Sequence, residues 1–260
     1  LNKILLFIFT FLIIGDSFKK NTILKNNNSF KSYEKYNVII YRDTWGVPHI
    51  FGDKDEDTAY GLGYAHAEDD FATIQDILIA ARGNLAKYYG RSVAANDYMV
   101  KLLKIWDTVE KNYENGLSDD VIKISEAYAD CINHYASLYP DKAFKGVFPV
   151  KGKDIVAGFI HRMPLMFGLD GTLAKLATNK YPIKNEDPST SESDILNQRM
   201  LGSNVIAVSP SRSDDKFTRI LINSHQPWSG PVAWYEAHLN SNEGWNMVGG
   251  LFPGSPVVLV

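Results

Sequence analysis

Cysteine is almost missing: Cys131 is the single one in 260 residues. That excludes a disulfide framework and any cysteine-built zinc site. An excess of one charge is missing as well. The chain has 27 basic and 30 acidic residues, for a net charge of -3, which removes the electrostatic case for a nucleic-acid partner. The one candidate membrane segment, Ile4 to Ile14 with Thr10 inside it, falls short of the roughly 20 apolar residues that a span needs. There is no internal repeat, and 45% apolar with 22% charged residues is ordinary globular composition, neither rod nor disordered tail. A chain of this length forms one or two domains and buries a core without a metal or disulfide staple.

The ends of the chain carry their own signals. Lys3, the apolar run and Gly15-Asp16-Ser17 read as a secretory signal peptide over residues 1–17. An uncleaved anchor and an ordinary buried segment are the alternatives, because no A-x-A site follows. Export to the periplasm or outside the cell is therefore expected, and a single cysteine suits it. Leu1 in place of Met, and the apolar stop at Pro256 to Val260, read as a chain cut from a longer one, with its last strand severed.

Residues 18–36, rich in Lys, Asn and Ser, read as a disordered linker. Val38 to Arg42 reads as a strand, followed by a turn at Trp45 to Pro48 and a second short strand. Asp55 to Tyr89 is helical by the recurrence of Ile74, Ile77, Leu78 and Ala81, with Gly83 as a kink or boundary. Further helices are expected over 97–111, over 118–138 with Ser118 as the N-cap, and over 153–167 with an interruption at Pro164. From residue 178 the apolar period stops, so 178–202 is a loop or excised spacer. Strands follow at 204–208, 219–223, 234–239, 245–248 and 256–260. The order is helices, spacer, sheet.

The chemistry concentrates at Gly202-Ser203, where a loop meets a strand. By itself a Gly-Ser pair there is ordinarily a turn. If the bond between them were cut, Ser203 would carry a hydroxyl and a free α-amine. That amine titrates near neutrality and can take the hydroxyl proton, so one residue supplies both nucleophile and base. Gly202 gives the cleaved backbone the freedom it needs.

Elsewhere the bland readings prevail. No histidine pair has the spacing of a zinc helix, and His66 beside Glu68 and Asp69 reads as a solvated helix face. Asp69 and Asp70 read as exposed or capping charges. Gly61-x-Gly63 lacks the strand context of a dinucleotide site. The five tryptophans read as core or pocket packing, and Cys131 as a buried thiol.

Three ordered blocks carry a resemblance. The first is Arg42 to Ile50 with Gly61 to Asp69, and the second is Gly202-Ser203-Asn204 with Ala207-Val208 and Ser211-Arg212-Ser213. The third is Asn223 to Trp228 with Trp234 to Leu239 and Phe252 to Pro256. Together they resemble the penicillin acylase family of N-terminal-nucleophile amidohydrolases. The Ala81 to Gly90 stretch resembles its acyl-homoserine-lactone and aculeacin-type branch.

The resemblance implies an αββα fold, incomplete here, with a mostly helical α-chain at 37–177, a spacer at 178–202 and the start of a β-chain at 203–260. It implies self-cleavage at Gly202-Ser203 and an acyl-enzyme on Ser203, with His225 positioning the nucleophile. Gln226, Trp228 and Trp234 would line the substrate pocket. The two chains would come from one precursor and act on a small-molecule amide with a long acyl group. Neither nucleic acid nor a stable membrane span is implied. No cofactor is assigned to this stretch, and any calcium site belongs to the complete protein. The oxyanion donors would lie beyond Val260, so this stretch alone is expected to be inactive. Two rivals stay open: a β-lactam acylase with an aromatic acyl pocket, and an exported binding relative that does not self-process.

Overall fold

The computed structural model describes residues 19–20, 35–165 and 203–259. The signal peptide, most of the 18–36 linker, the 178–202 spacer and Gly202 lie outside the described residues.

The architecture mixes helix and sheet. Thirteen elements follow in order: β1 (Lys19–Lys20), β2 (Val38–Arg42), β3 (Pro48–Gly52), α1 (Asp55–Ala81), α2 (Leu85–Tyr89), α3 (Ala94–Leu102), α4 (Ile105–Gly116), α5 (Asp119–Leu138), α6 (Gly152–Leu165), β4 (Ser203–Val208), β5 (Arg219–Ser224), β6 (Tyr235–Ser241) and β7 (Asn246–Leu251). Among the described residues, one sheet runs β1-β2-β3-β6-β7, and β4 and β5 form a separate two-stranded sheet. The strands of the first half therefore complete a sheet with those of the second. This corrects the reading of helices first and sheet later.

The turn from β2 to β3 is built by Asp43. Its Oδ1 accepts from the backbone N–H of Trp45 and of Val47, each at 2.9 Å, and Gly46 takes φ +87°. Val38 to Arg42 then pairs antiparallel with Pro48 to Gly52. Alternation sends Ile40 and Ile50 to one face, where β6 adds Ala237 and Leu239; all four are buried.

Helix α1 packs against that face. A Cβ on Gly61 would come 2.5 Å from Cγ2 of Val38 and 2.8 Å from Cγ2 of Ile50, and one on Gly63 would come 3.1 Å from Cβ of Cys131 in α5. The two glycines thus serve close packing of α1 against the sheet and against α5. Helix α1 kinks at Asp70 (φ -151°, ψ 59°), whose Oδ1 accepts from the Thr73 N–H at 3.2 Å and caps the second stretch. Gly83, at φ +65°, ends it. Ser118 caps α5, accepting from the Val121 N–H. Tyr128, Cys131, Ile132 and Tyr135 of α5 close the main core over Leu62, Ile74 and Leu251.

Other expectations need correction. Tyr36, inside the stretch read as linker, is buried, stacks on Tyr60 at 4.4 Å and donates to Asp130 at 2.7 Å. Lys19–Lys20 pairs with β2. The helix expected over 97–111 is two, because Lys104 adopts the left-handed region at φ 52°. Residues 256–259 form no strand and return to the sheet through the Leu259 N–H on the Gly250 carbonyl at 2.9 Å. Trp45 and Trp228 face solvent instead of packing. Among the described residues, no helix is long and apolar enough to cross a membrane.

Candidate active site

Ser203 is the first residue of β4 and is exposed. The antiparallel register sets Ser203 opposite Ser224 and Asn204 opposite Asn223. His225 therefore emerges at the same end of the hairpin as Ser203. The turn that closes the other end is held by Asp215, which pairs with Arg219 and accepts from Ser213 Oγ at 2.5 Å. Those two partners hold its carboxyl well below the usual carboxylate range.

The His225 ring is fixed by two amides. Asn204 Nδ2 lies 3.1 Å and Asn223 Nδ2 3.3 Å from its Nε2. An amide Nδ2 only donates, so Nε2 is the accepting nitrogen in these contacts, its single lone pair shared between the two. Strand alternation sets Asn204 and Asn223 on the face opposite Ser203 and Ser224, so the imidazole is anchored on the asparagine face. The structure brings Ser203 and His225 to one strand end, with Asn204 and Asn223 as the histidine's partners. Sequence reasoning placed both asparagines in the resembling blocks but gave neither a role; Asn204 follows Ser203, and Asn223 lies two residues before His225.

The three expected pocket residues differ in exposure. Gln226 is half-buried and Trp228 stands free in solvent. Trp234 stacks on Phe252 with ring centroids 4.5 Å apart and planes within 7°, and its buried Nε1 has no partner.

A second group of polar residues was missed. Arg42 donates to Asp69 at 2.9 Å, Glu68 at 3.2 Å, the Gly46 carbonyl at 2.8 Å and the Ala65 carbonyl at 3.1 Å. Tyr235 donates its hydroxyl to the same Asp69 at 2.6 Å. Burial first, and then this bond to a carboxylate, push the Tyr235 phenol far up. His66 is buried, correcting its solvated reading, and stacks on Tyr235 at 4.1 Å. Burial and then the nearby Arg162 pull its pKa down to about 3, so the ring is neutral. Arg162 is itself buried, donates to the carbonyls of Gly158 and Pro253, and is lowered to about 10 by burial. Asp69 is thus an ion-pair partner and Asp70 a cap. Among the described residues, no group of three or more His, Cys, Asp or Glu could hold a metal ion.

The Tyr235 and Pro253 contacts tie the residues before 165 to those after 203. Strands β3 and β6 are parallel, pairing His49 with His238 and Ile50 with Leu239. The Asp55 N–H donates to Glu243 at 2.9 Å, and Ser241 Oγ donates to Asp55 at 2.5 Å. Arg162 reaches Pro253 from α6. A backbone break just before Ser203 would leave both pieces in one core.

The family model described as penicillin amidase matches residues 37–260, on both sides of Ser203. The chain belongs to the penicillin amidase family. Among curated relatives, the acyl-homoserine lactone acylase PvdQ of Pseudomonas savastanoi pv. phaseolicola is 24% identical over 245 residues, covering 84% of this chain and 31% of that protein. PvdQ of Pseudomonas fluorescens is 25% identical over 242 residues, with the same coverage. The aculeacin-A acylase of Actinoplanes utahensis is 21% identical over 250 residues, covering 86% of this chain and 32% of that protein. This member of the penicillin amidase family therefore spans just under a third of the length of those relatives. A solved thermostable penicillin G acylase from Alcaligenes faecalis gives a TM-score of 0.40 at 23% identity, over 63% of this chain and 82% of that one.

Proposed function

We propose that this chain belongs to an exported amidohydrolase that cleaves itself between Gly202 and Ser203 and hydrolyses linear amides of long acyl chains. The observation that carries the reading is the family match running unbroken across Ser203, with acylases of homoserine lactones and of aculeacin A as relatives. After cleavage, the Ser203 α-amine takes the proton from its own hydroxyl, directly or through a water. The oxygen attacks the amide carbonyl, the C–N bond breaks, and the amine leaves with the proton. Water then hydrolyses the ester, releasing the acid and restoring the hydroxyl. His225, held by Asn204 and Asn223, acts as a positioning residue at that strand end. Gly202 supplies the flexible side of the scissile bond. Gln226, Trp228 and Trp234 line the acyl side in the whole protein.

In this reading the fold of the whole protein is αββα. Val205, Ile206, Ile220, Leu221 and Ile222 are exposed on both faces of the β4–β5 hairpin, a pattern that suits strands covered on both sides. The chain is made with a signal peptide and works in the periplasm or outside the cell.

The test is an acyl-chain profile of the full-length enzyme on N-acyl-homoserine lactones, beside a phenylacetyl amide, with the released amine as the readout. Turnover that rises with aliphatic chain length supports the reading. Preference for the phenylacetyl amide turns it towards an aromatic acyl pocket, and no turnover of either sinks it.

A further inference from the structure

A cleft of about 330 Å³ opens between α1, α2, α3 and α6 on one side and the loop joining β5 to β6 on the other. Its size is at the small end of ligand sites. Ile77, Leu85 and Pro231 give it apolar walls; among the described residues, Asp76 is its one carboxylate and no lysine or arginine lines it. Asp76 is held in place by Tyr89, whose hydroxyl donates to Oδ1. That bond to a carboxylate, ahead of burial, moves the tyrosine up to about 12.

The inner wall contains His161, which is 3% exposed. Its protonation pattern follows from its neighbour. Asn96 Nδ2 already donates to the Ala80 carbonyl at 2.9 Å and to Asp97 at 3.1 Å. Asn96 Oδ1 is therefore an acceptor, and the His161 Nε2–H donates to it at 2.6 Å. Nδ1 is left as a bare acceptor, buried and without a partner. Burial, and then Arg162, keep the ring neutral with a pKa of about 4. The charged group that the described lining offers a ligand is thus the Asp76 carboxylate, while His161 Nδ1 is sealed within the wall.

We propose that this cleft is a binding site for a small apolar amine, with the ammonium against Asp76 and the apolar body between Ile77, Leu85 and Pro231. An anionic ligand would face the carboxylate with nothing to offset it. Because Pro231 belongs to the loop after His225, an occupant touches both the helical half and the strand-end loop of the candidate active site.

Two probes of equal shape test this: 4-phenylbutylamine and 4-phenylbutyrate, titrated calorimetrically into the full-length protein at neutral pH. The amine is expected to bind at least tenfold tighter than the acid. That preference should shrink in about 300 mM salt, where the Debye length falls below 8 Å. Asp76→Asn should weaken the amine at least tenfold, and Leu85→Trp, which narrows the cleft, should abolish it. Absence of amine binding, equal binding of both probes, or amine binding unchanged in both variants overturns the proposal. The wild-type comparison decides even where a variant fails to fold. None of these outcomes depends on self-cleavage at Ser203.

Discussion

Tyr235 donates its hydroxyl proton to Asp69 at 2.6 Å across 166 positions of sequence. The bond joins β6 to α1, and Arg42 of β2 pairs with the same carboxylate. It links the residues before 165 to the segment after Ser203, and so it helps hold together what self-cleavage would divide.

Removing that hydroxyl should be felt in the whole fold. Tyr235→Phe keeps the stack on His66 and leaves Asp69 with Arg42 alone. A hydrogen bond to a charged group is worth about 1.5–3 kcal/mol, and the loss should fall in the lower part of that range because Asp69 is partly exposed. The urea midpoint reads it directly. An unchanged midpoint would mean that the bond contributes nothing across the seam.

Two glycines should respond with opposite signs. Gly61→Ala drives a Cβ to 2.5 Å from Val38 and 2.8 Å from Ile50, both held in the sheet. It should destabilise by about 1–3 kcal/mol, as overpacking does. Gly158→Ala in α6 meets only an ordinary 3.5 Å contact with Ile77. It should be neutral or stabilise by up to about 1 kcal/mol through helix propensity. Thermal melts of the pair distinguish close packing from generic glycine tolerance.

Acid should destabilise the protein through His66. Its folded pKa of about 3 lies below its ordinary 6.5. Between those values the unfolded chain binds a proton that the folded chain does not, so stability is present above about pH 6.5 and is lost as pH falls towards 3. His161, at about 4, adds loss of the same sign. His66→Phe preserves a ring against Tyr235 and removes the titration. Its melting temperature should therefore fall less steeply than that of the wild type over this range. Identical slopes would assign the acid sensitivity elsewhere.

The two tryptophans assigned to the acyl side should differ in their structural weight. Trp228 touches little and is fully exposed, so Trp228→Ala should shift stability by less than about 0.5 kcal/mol. Trp234 is stacked on Phe252, and Trp234→Ala should cost about 1–3 kcal/mol, below the range for a fully buried aromatic. Chemical denaturation of both variants checks the contrast. An equal cost would show that the Trp234 stack contributes no more than solvent exposure does.

What the sequence made legible were local features. Val38 to Arg42 announces itself by β-branching, and Ser118 by its place before an apolar period. Gly83 marks the end of α1 because only a residue at ease with positive φ stops the helix there. The strand after Gly202 was recognisable from Val205 to Val208, and β4 begins one residue before the expected Asn204, at Ser203. Distant pairings were not legible. Nothing near Ile50 says that it will lie beside Leu239, and nothing near Asp69 points to Tyr235. Burial of His66 was hidden by its acidic neighbours, which face outward while the ring turns in under Tyr235. Trp45 misled in the other direction: the turn built by Asp43 and Gly46 projects its side chain into solvent. The different exposures of Gln226, Trp228 and Trp234 belong to the loop between β5 and β6, whose path no periodicity records.

Self-cleavage is tested most directly by the intact mass of the full-length gene product, expressed with export and set beside Ser203→Ala. Two chains from the wild type, one with Ser203 at its N-terminus, and a single chain from the variant are expected. A single uncut chain from both would contradict the assignment of Ser203 as an N-terminal nucleophile.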